Sequence, residues 1–301
     1  MGEKGIIPRV CHDIFERIKL KEDWSFKVSV SFMELYQEQL YDLLSDKQRN
    51  QSIVDIREDG KSIKIVGVTE KQVANVQETL KCLTQGAMAR ITGAIAMNAH
   101  SSRSHVIFKI CIHQKQKNDP NTATVAKFHL VDLAGSERCK KTQATGEQFK
   151  EGVNINKGLF ALGNIISRLG YRTPSAYIGY RDNRLTRLLQ DSLDGNSMTL
   201  MIACVSPADY NLDETLSTLR YADRARKIKN KPIVNQDSKM LRQAENAAQQ
   251  TAESQKNVER EQEVKRLYAE EEEAVPARLL QKFQAELMRQ MFTKWELINI
   301  T

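Results

Sequence analysis

Asp132, Gly135 and Glu137 close the stretch HLVDLAGSER (129–138), where an almost continuous apolar run gives way to an acid, a glycine and a second acid. An acid at the carboxyl end of a buried strand stands where open α/β sheets bind ligands. If the ligand is a magnesium nucleoside triphosphate, Asp132 can hold the metal directly or through a water, because hard cations take oxygen ligands. Gly135 has no side chain and lets a backbone N–H come close to a terminal phosphate. Glu137 then needs a cationic partner. A second stretch, NAHSSRSH (98–105), leads into another apolar run and holds small hydroxyls, two histidines and Arg103. All of these can face phosphate oxygens or a metal. Ser, Asn and Gly clusters also make ordinary turns, so neither stretch carries the chemistry by itself. Together they point to a phosphate site.

Positioning such loops requires a sheet. The runs 26–36, 104–114, 123–133 and 198–206 are rich in Val, Ile, Phe and Leu, as strands require. FHLVDL and TLMIACV are nearly uninterrupted, which predicts burial on both faces under covering helices. Helices are expected over 76–91, 154–169, 183–193 and 213–228. In the second, Ile155, Leu159, Leu162, Ile165, Ile166 and Leu169 recur at three- and four-residue steps and form one apolar stripe. The last begins with acids and ends with bases, the order favoured by the helix dipole. Residues 1–228 are therefore expected to be an α/β layer structure, a central sheet flanked by helices.

After NKPIVNQD (230–237) the composition changes, and residues 239–273 are rich in Ala, Gln, Glu and Lys. An a/d seam does not last three heptads there, which predicts solvated helix with only weak coiled-coil character. Pro276 can start another helix whose Leu280, Phe283, Leu287, Met291 and Trp295 share a face. That stripe is expected to dock on the globular part or on a second copy of the chain, giving a homodimer through the C-terminal helices.

Length and charge bound the rest. The 301 residues are 41% hydrophobic and 28% charged, enough for a real core, and no run of about 18 apolar residues occurs. A membrane protein and a secretory signal are not expected, which places the chain in the cytoplasm or nucleus. Residues 238–301 carry 10 Lys+Arg against 11 Asp+Glu, leaving 35 against 27 on residues 1–237. A basic globular part favours an acidic partner. Cys11, Cys82, Cys111, Cys139 and Cys204 are scattered without metal-ligand spacing and read as reduced, mostly buried thiols.

Taken in order, several motifs resemble the kinesin motor domain. NAHSSRSH is similar to switch I and VDLAGSE to switch II. NINKGLFALGNIISRL (154–169) resembles the long switch II helix, and YRDNRLTRLLQDSLDGNS (180–197) the loop and helix that meet tubulin. TLMIACVSPADYNLDETLSTLRYADRARKIKNKPIVN (199–235) resembles the last strand, last helix and neck linker, with a wording similar to the chromokinesin branch. The resemblance implies a mixed sheet of the P-loop NTPase type over 1–228, a neck linker at 229–237 and a helical neck or stalk at 238–301.

It also implies ATP and Mg²⁺ as cofactors. Asn98, Ser101 and Ser102 would line the nucleotide, with the Ser102 hydroxyl on Mg²⁺ and Asp132 holding the metal through water. Gly135 would sense the γ-phosphate, Arg103 and Glu137 would form the salt bridge that closes the switches, and Asn156 would belong to the same water network. Such an arrangement suits phosphoryl transfer, which rests on positioning and charge stabilisation. Arg181, Arg184 and Arg187 recur every third residue around the start of a helix, and Lys140 and Lys141 follow switch II. Against tubulin they would supply screened attraction.

One part of the family pattern does not occur: the chain has no G-x-x-x-x-G-K-[ST] phosphate loop. GIIPRV resembles the start of the helix that follows that loop, so Met1 is expected to open partway through a motor domain, with a sheet edge and one face uncovered. Losing several charge-assisted hydrogen bonds at about 1.5–3 kcal/mol each removes useful ATP affinity. The expected function is that of a kinesin-like microtubule motor, with little ATP hydrolysis by this chain. The alternative is a microtubule-binding scaffold without catalysis. DNA association is not favoured, since no DNA-binding motif occurs.

Overall fold

A computed structural model describes residues 5–59, 62–95, 103–136, 147–171, 178–193 and 196–237, then 240, 242, 246, 250, 253–262 and 265. The chain divides into two compact units, Met1–Asp237 and Ser238–Thr301. In the second, 253–262 are helical and exposed, and the stripe from Leu280 to Trp295 lies outside the described residues.

The first unit is built on a sheet. Its strands are β1 (Trp24–Tyr36), β2 (Gln39–Asp42), β3 (Ile53–Asp59), β4 (Ser62–Val66), β5 (Lys71–Val73), β6 (His105–Gln116) and β7 (Asp119–Asp132). The order is β4-β3-β2-β1-β6-β7, with β5 also paired to β1. Every described ladder is antiparallel, so the described part of the expected mixed sheet is its antiparallel part. The helices are α1 (Ile6–Lys19), α2 (Val76–Ile95), α3 (Glu147–Gly170), α4 (Arg184–Leu188), α5 (Gln190–Leu193) and α6 (Leu212–Arg226).

Side-chain alternation in β1 divides the core in two. Val28, Val30 and Phe32 pack with Cys11 and Phe15 of α1 and Cys82 of α2. Met33 and Leu35 pack with Leu162, Ile165, Ile166 and Leu169 of α3 and with Leu185, Leu188 and Leu193 around α4 and α5. The sheet is thus sandwiched between α1/α2 and α3/α4/α5. Close approach of α2 to β1 depends on Gly86, where a Cβ would stand 2.1 Å from the Phe32 ring.

Three expectations are corrected. Residues 198–206 form no strand; Met198 and Leu200 are 88% and 85% exposed. Strand propensity is realised only by pairing and packing, and no described strand borders this run. Nor is FHLVDL buried on both faces: Phe128, Val131 and Leu133 are exposed. Among the described residues β7 is the last strand of the sheet, and on its outer side only residues 235–237 pair with it, at 123–125. The helix expected over 183–193 is broken into α4 and α5. Cys11, Cys82 and Cys111 are buried free thiols, whereas Cys204 is exposed and Cys139 lies outside the described residues.

Candidate functional site

Antiparallel pairing of β6 with β7 places Val106 opposite Asp132. Because β6 begins where β7 ends, Arg103 and Ser104 just before β6 and Leu133 to Ser136 just after β7 emerge at one end of the sheet. A hydrogen bond joins the two loops: the backbone N–H of Ala134 donates to His105 Nδ1 at 3.0 Å. That bond fixes the tautomer, with Nδ1 accepting and the proton on Nε2. His105 is buried, and burial lowers its pKa to about 4. His129, partly buried beside Ser192 Oγ at 2.9 Å, is also lowered to about 4, by burial first and then by Lys109 and Lys127.

These histidines predict an acid-labile fold. Both bind protons in the unfolded chain below about pH 6.5 but stay neutral in the folded one down to about 4. Their contribution is fully present above pH 6.5 and is lost as pH falls from 6.5 towards 4, by roughly 1.4 kcal/mol per pH unit per histidine. Urea midpoints measured from pH 7.5 to 4.5 should fall steeply. His105→Gln, whose side-chain oxygen can still accept from Ala134, should flatten that slope by about one proton.

Arg90 of α2 binds the same end from above. Its Nη2 lies 3.1 Å from Ser104 Oγ and 3.4 Å from the Ser104 carbonyl oxygen. Its Nη1 is 3.6 Å from Asp132 Oδ2, and its Nε is 3.6 Å from Glu34 Oε1. Glu34 is fully buried, and its other oxygen meets Arg49 Nη2 at 2.7 Å. Glu34, Val106 and Asp132 form one row across β1, β6 and β7, and Arg90 spans that row. The charge of Glu34 is tolerable in the core because two guanidiniums face it. Sequence reasoning missed both residues. The available signal was that Arg90 is the sole charge between Lys81 and Arg103, and Glu34 the sole charge in VSVSFMELY.

Among the expected nucleotide residues, Asp132 and Gly135 lie at this sheet end. The Asp132 side chain is 77% exposed and can offer oxygen to a cation. Arg103 lines a small cleft with Gln37, Glu38, His105, Gly158 and Asn183. It thereby faces α3, the helix that also carries Asn156. Asn98, Ser101, Ser102, Glu137, Lys140 and Lys141 lie outside the described residues. Asp132 and Arg103 fit the metal and γ-phosphate side of a triphosphate; the β-phosphate side has no cradle in this sequence.

A second cluster lies around α4. Arg181 makes a bidentate contact with Glu58 of β3, at 2.8 and 2.6 Å, and lowers the pKa of that carboxyl. Arg187 is 3.7 Å from the same carboxylate, and Arg184 is 3.4 Å from Asp55. All three arginines therefore converge on one strand. The Arg181 and Arg184 pairs are largely exposed and the Arg187 pair is half-buried; solvent-screened pairs of this kind contribute little, so an outside carboxylate can replace the inside one at small cost. Glu38 sets this helix in place: it accepts from Asn183 Nδ2 at 2.8 Å and from the Arg184 N–H at 3.1 Å, while Asn183 caps the Leu185 N–H. Gln37 and Glu38 form the β1–β2 turn with φ of 47° and 62°, a left-handed conformation that suits a tight hairpin turn and is uncommon for such residues.

Residues 229–237 run from α6 to β7. Asn196 holds this segment at both side-chain atoms, donating to Asn235 Oδ1 at 2.7 Å and accepting from the Ile233 N–H at 2.6 Å. The Val125 N–H donates to the Asn235 carbonyl oxygen at 2.9 Å, and the Asp237 N–H to that of Ala123 at 2.8 Å.

Residues 1–228 match the kinesin motor domain model. Curated relatives include the chromosome-associated kinesin KIF4 of Gallus gallus, 59% identical over 235 residues covering 77% of this chain and 19% of that protein. KIF4A of Homo sapiens is 58% identical over 234 residues, again 77% and 19%, and the kinesin-like protein KIN-4A of Arabidopsis thaliana is 46% identical over 280 residues, 80% and 27%. The chain spans about a fifth of the length of the KIF4 relatives. Among solved structures, a KIF14 dimer with AMP-PNP in complex with a microtubule superposes with a TM-score of 0.70 at 41% identity, covering 80% of this chain and 70% of that one. A fast kinesin gives 0.70 at 42%, covering 77% and 65%.

Proposed function

The chain belongs to the kinesin motor-domain family, and from that premise we propose that it supplies the filament-facing and switch-bearing part of a microtubule motor. The observation that carries this reading is the convergence of 103–105 and 132–136 at one sheet end, tied by Ala134 to His105 and spanned by Arg90. A γ-phosphate arriving there would meet Arg103 and Gly135, and a magnesium ion would meet Asp132 and the Ser102 hydroxyl. Glu137 would close on Arg103, and Asn156 would help order water. The arginine cluster of Arg181, Arg184 and Arg187, with Lys140 and Lys141, faces tubulin.

Movement at the switch end reaches α3, whose Gly163 and Gly170 sit tightly against Tyr221 and Arg224 of α6. Residues 229–237, leading out of α6, act as the neck linker, and the reading of them as docked rests on their bonds to β7 and Asn196. Helices beyond 238 form the neck, with a homodimer as the state they support. That KIF4 relatives are chromosome-associated and a KIF14 neighbour is in complex with a microtubule supports reading this chain as microtubule-associated, acting on the spindle in dividing cells.

Hydrolysis needs the phosphate cradle as well as the switches, so the 301-residue chain holds ATP weakly. Titration with a fluorescent ATP analogue in magnesium should give a Kd no tighter than about millimolar, weakened further by Arg103→Ala, in line with several lost charge-assisted bonds. A micromolar Kd that Arg103→Ala weakens would overturn the one-sided site.

A further inference from the structure

Asp237 is 3% exposed although it follows a polar segment that leads out of the first unit. A buried carboxylate is costly unless it is paired. Its partner is His113 of β6, whose Nδ1 is in direct hydrogen-bond contact with Asp237 Oδ2. The strand between them is β7: His113 stands opposite Val125, and Thr124 is bridged to Gln236. The two side chains therefore meet across β7 and join the end of the segment to the second strand in from the edge. Backbone bonds at 123–125 reach only the edge strand β7, and Asn196, which holds Ile233 and Asn235, lies outside the sheet.

We propose that His113 and Asp237 are positioning residues that lock the end of the 229–237 segment onto the sheet, making its docked state depend on a side-chain pair as well as on backbone ladder bonds. The proposal rests on the reading of 229–237 as a docking linker. In the docked state the Asp237 carboxylate leaves water and is met by the imidazole; in the released state water solvates it. Taking the imidazole away leaves the released state unchanged and removes a partner from the docked one, so the balance moves towards release.

Cys111 Sγ, 3.5 Å from His113 Nε2, completes a Cys–His–Asp order without a nucleophile's setting. The thiol is buried, and burial raises its pKa, whereas a reactive cysteine needs an exposed thiolate. The imidazole works as a tether.

Amide hydrogen exchange on the 301-residue chain tests the pair. His113→Ala and Asp237→Ala should each speed exchange over 233–237 by about tenfold or more, with 28–35 of β1 unchanged. The double variant should go no further than either single one, as expected for partners in one contact. His113→Gln, which keeps a side-chain N–H donor, should restore protection to within about threefold. If His113→Ala loosens all of β6, Asp237→Ala decides, because that residue lies outside the strand. Protection that survives both single substitutions, or effects that add in the double variant, overturns the pair while leaving the docked linker in place. A 233–237 segment without protection in the unsubstituted chain overturns both readings.

Discussion

Replacing Arg90 by alanine is expected to lower the unfolding free energy by about 3 kcal/mol, a large share of the 5–15 kcal/mol typical of a domain. Glu34 has no exposed surface, and it is held by Arg49 at 2.7 Å and Arg90 at 3.6 Å. Without Arg90 one guanidinium must neutralise a carboxylate deep in the core, and Ser104 loses its contact with α2. The loss should appear as a lower urea midpoint with an unchanged slope. Asp132→Asn serves as the comparison. It removes only the exposed end of the same network, so the expected change is under about 1 kcal/mol. Arg90→Lys should recover little, because one ammonium cannot reach Glu34, Ser104 and Asp132 together. A midpoint for Arg90→Ala within 1 kcal/mol of the unsubstituted chain would mean that Arg49 suffices.

Neutralising Arg181, Arg184 and Arg187 together should cut the landing rate on microtubules by about tenfold or more at low salt, with the difference shrinking as salt screens it. Opposite-charge steering acts mainly on association, so dwell times should change less than landing rates. Glu58→Gln should act in the other direction and raise landing about two- to fivefold by removing a carboxylate that occupies Arg181 and repels an acidic surface. Single-molecule landing counts at two salt concentrations separate these effects. A Glu58→Gln chain that lands more slowly would show that Glu58 orients Arg181 and does not compete for it.

Much of this architecture was legible because it follows from local periodicity and from short motifs at strand ends. HVIFKICIHQ and KFHLVD carry the strand signature, and their flanking loops hold the residues with phosphate chemistry, so Arg103 and Asp132 are legible from the sequence. The apolar stripe of α3 is buried at Leu162, Ile165, Ile166 and Leu169 as its spacing requires. What was missed depends on partners distant in sequence. TLMIACV has the composition of a strand and no described neighbour to pair with. FHLVDL reads as doubly buried, whereas its strand lies at the sheet edge. Arg181 and Glu58 are 123 residues apart, and nothing in either segment announces the other. Arg90 and Glu34 did leave a trace, since each is the sole charge of an otherwise uncharged run, and a lone charge at a core position must find its opposite elsewhere. The meeting of His113 with Asp237 left none, because it depends on how residues 235–237 turn back along β7.

Co-sedimentation of the 301-residue chain with stabilised microtubules tests most directly whether this is the filament-facing part of a motor. The structure predicts saturable binding without added nucleotide that weakens as salt rises and drops about tenfold when Arg181, Arg184 and Arg187 are all alanine. A chain that stays in the supernatant, or one that pellets equally well with and without the three arginines, would contradict the assignment.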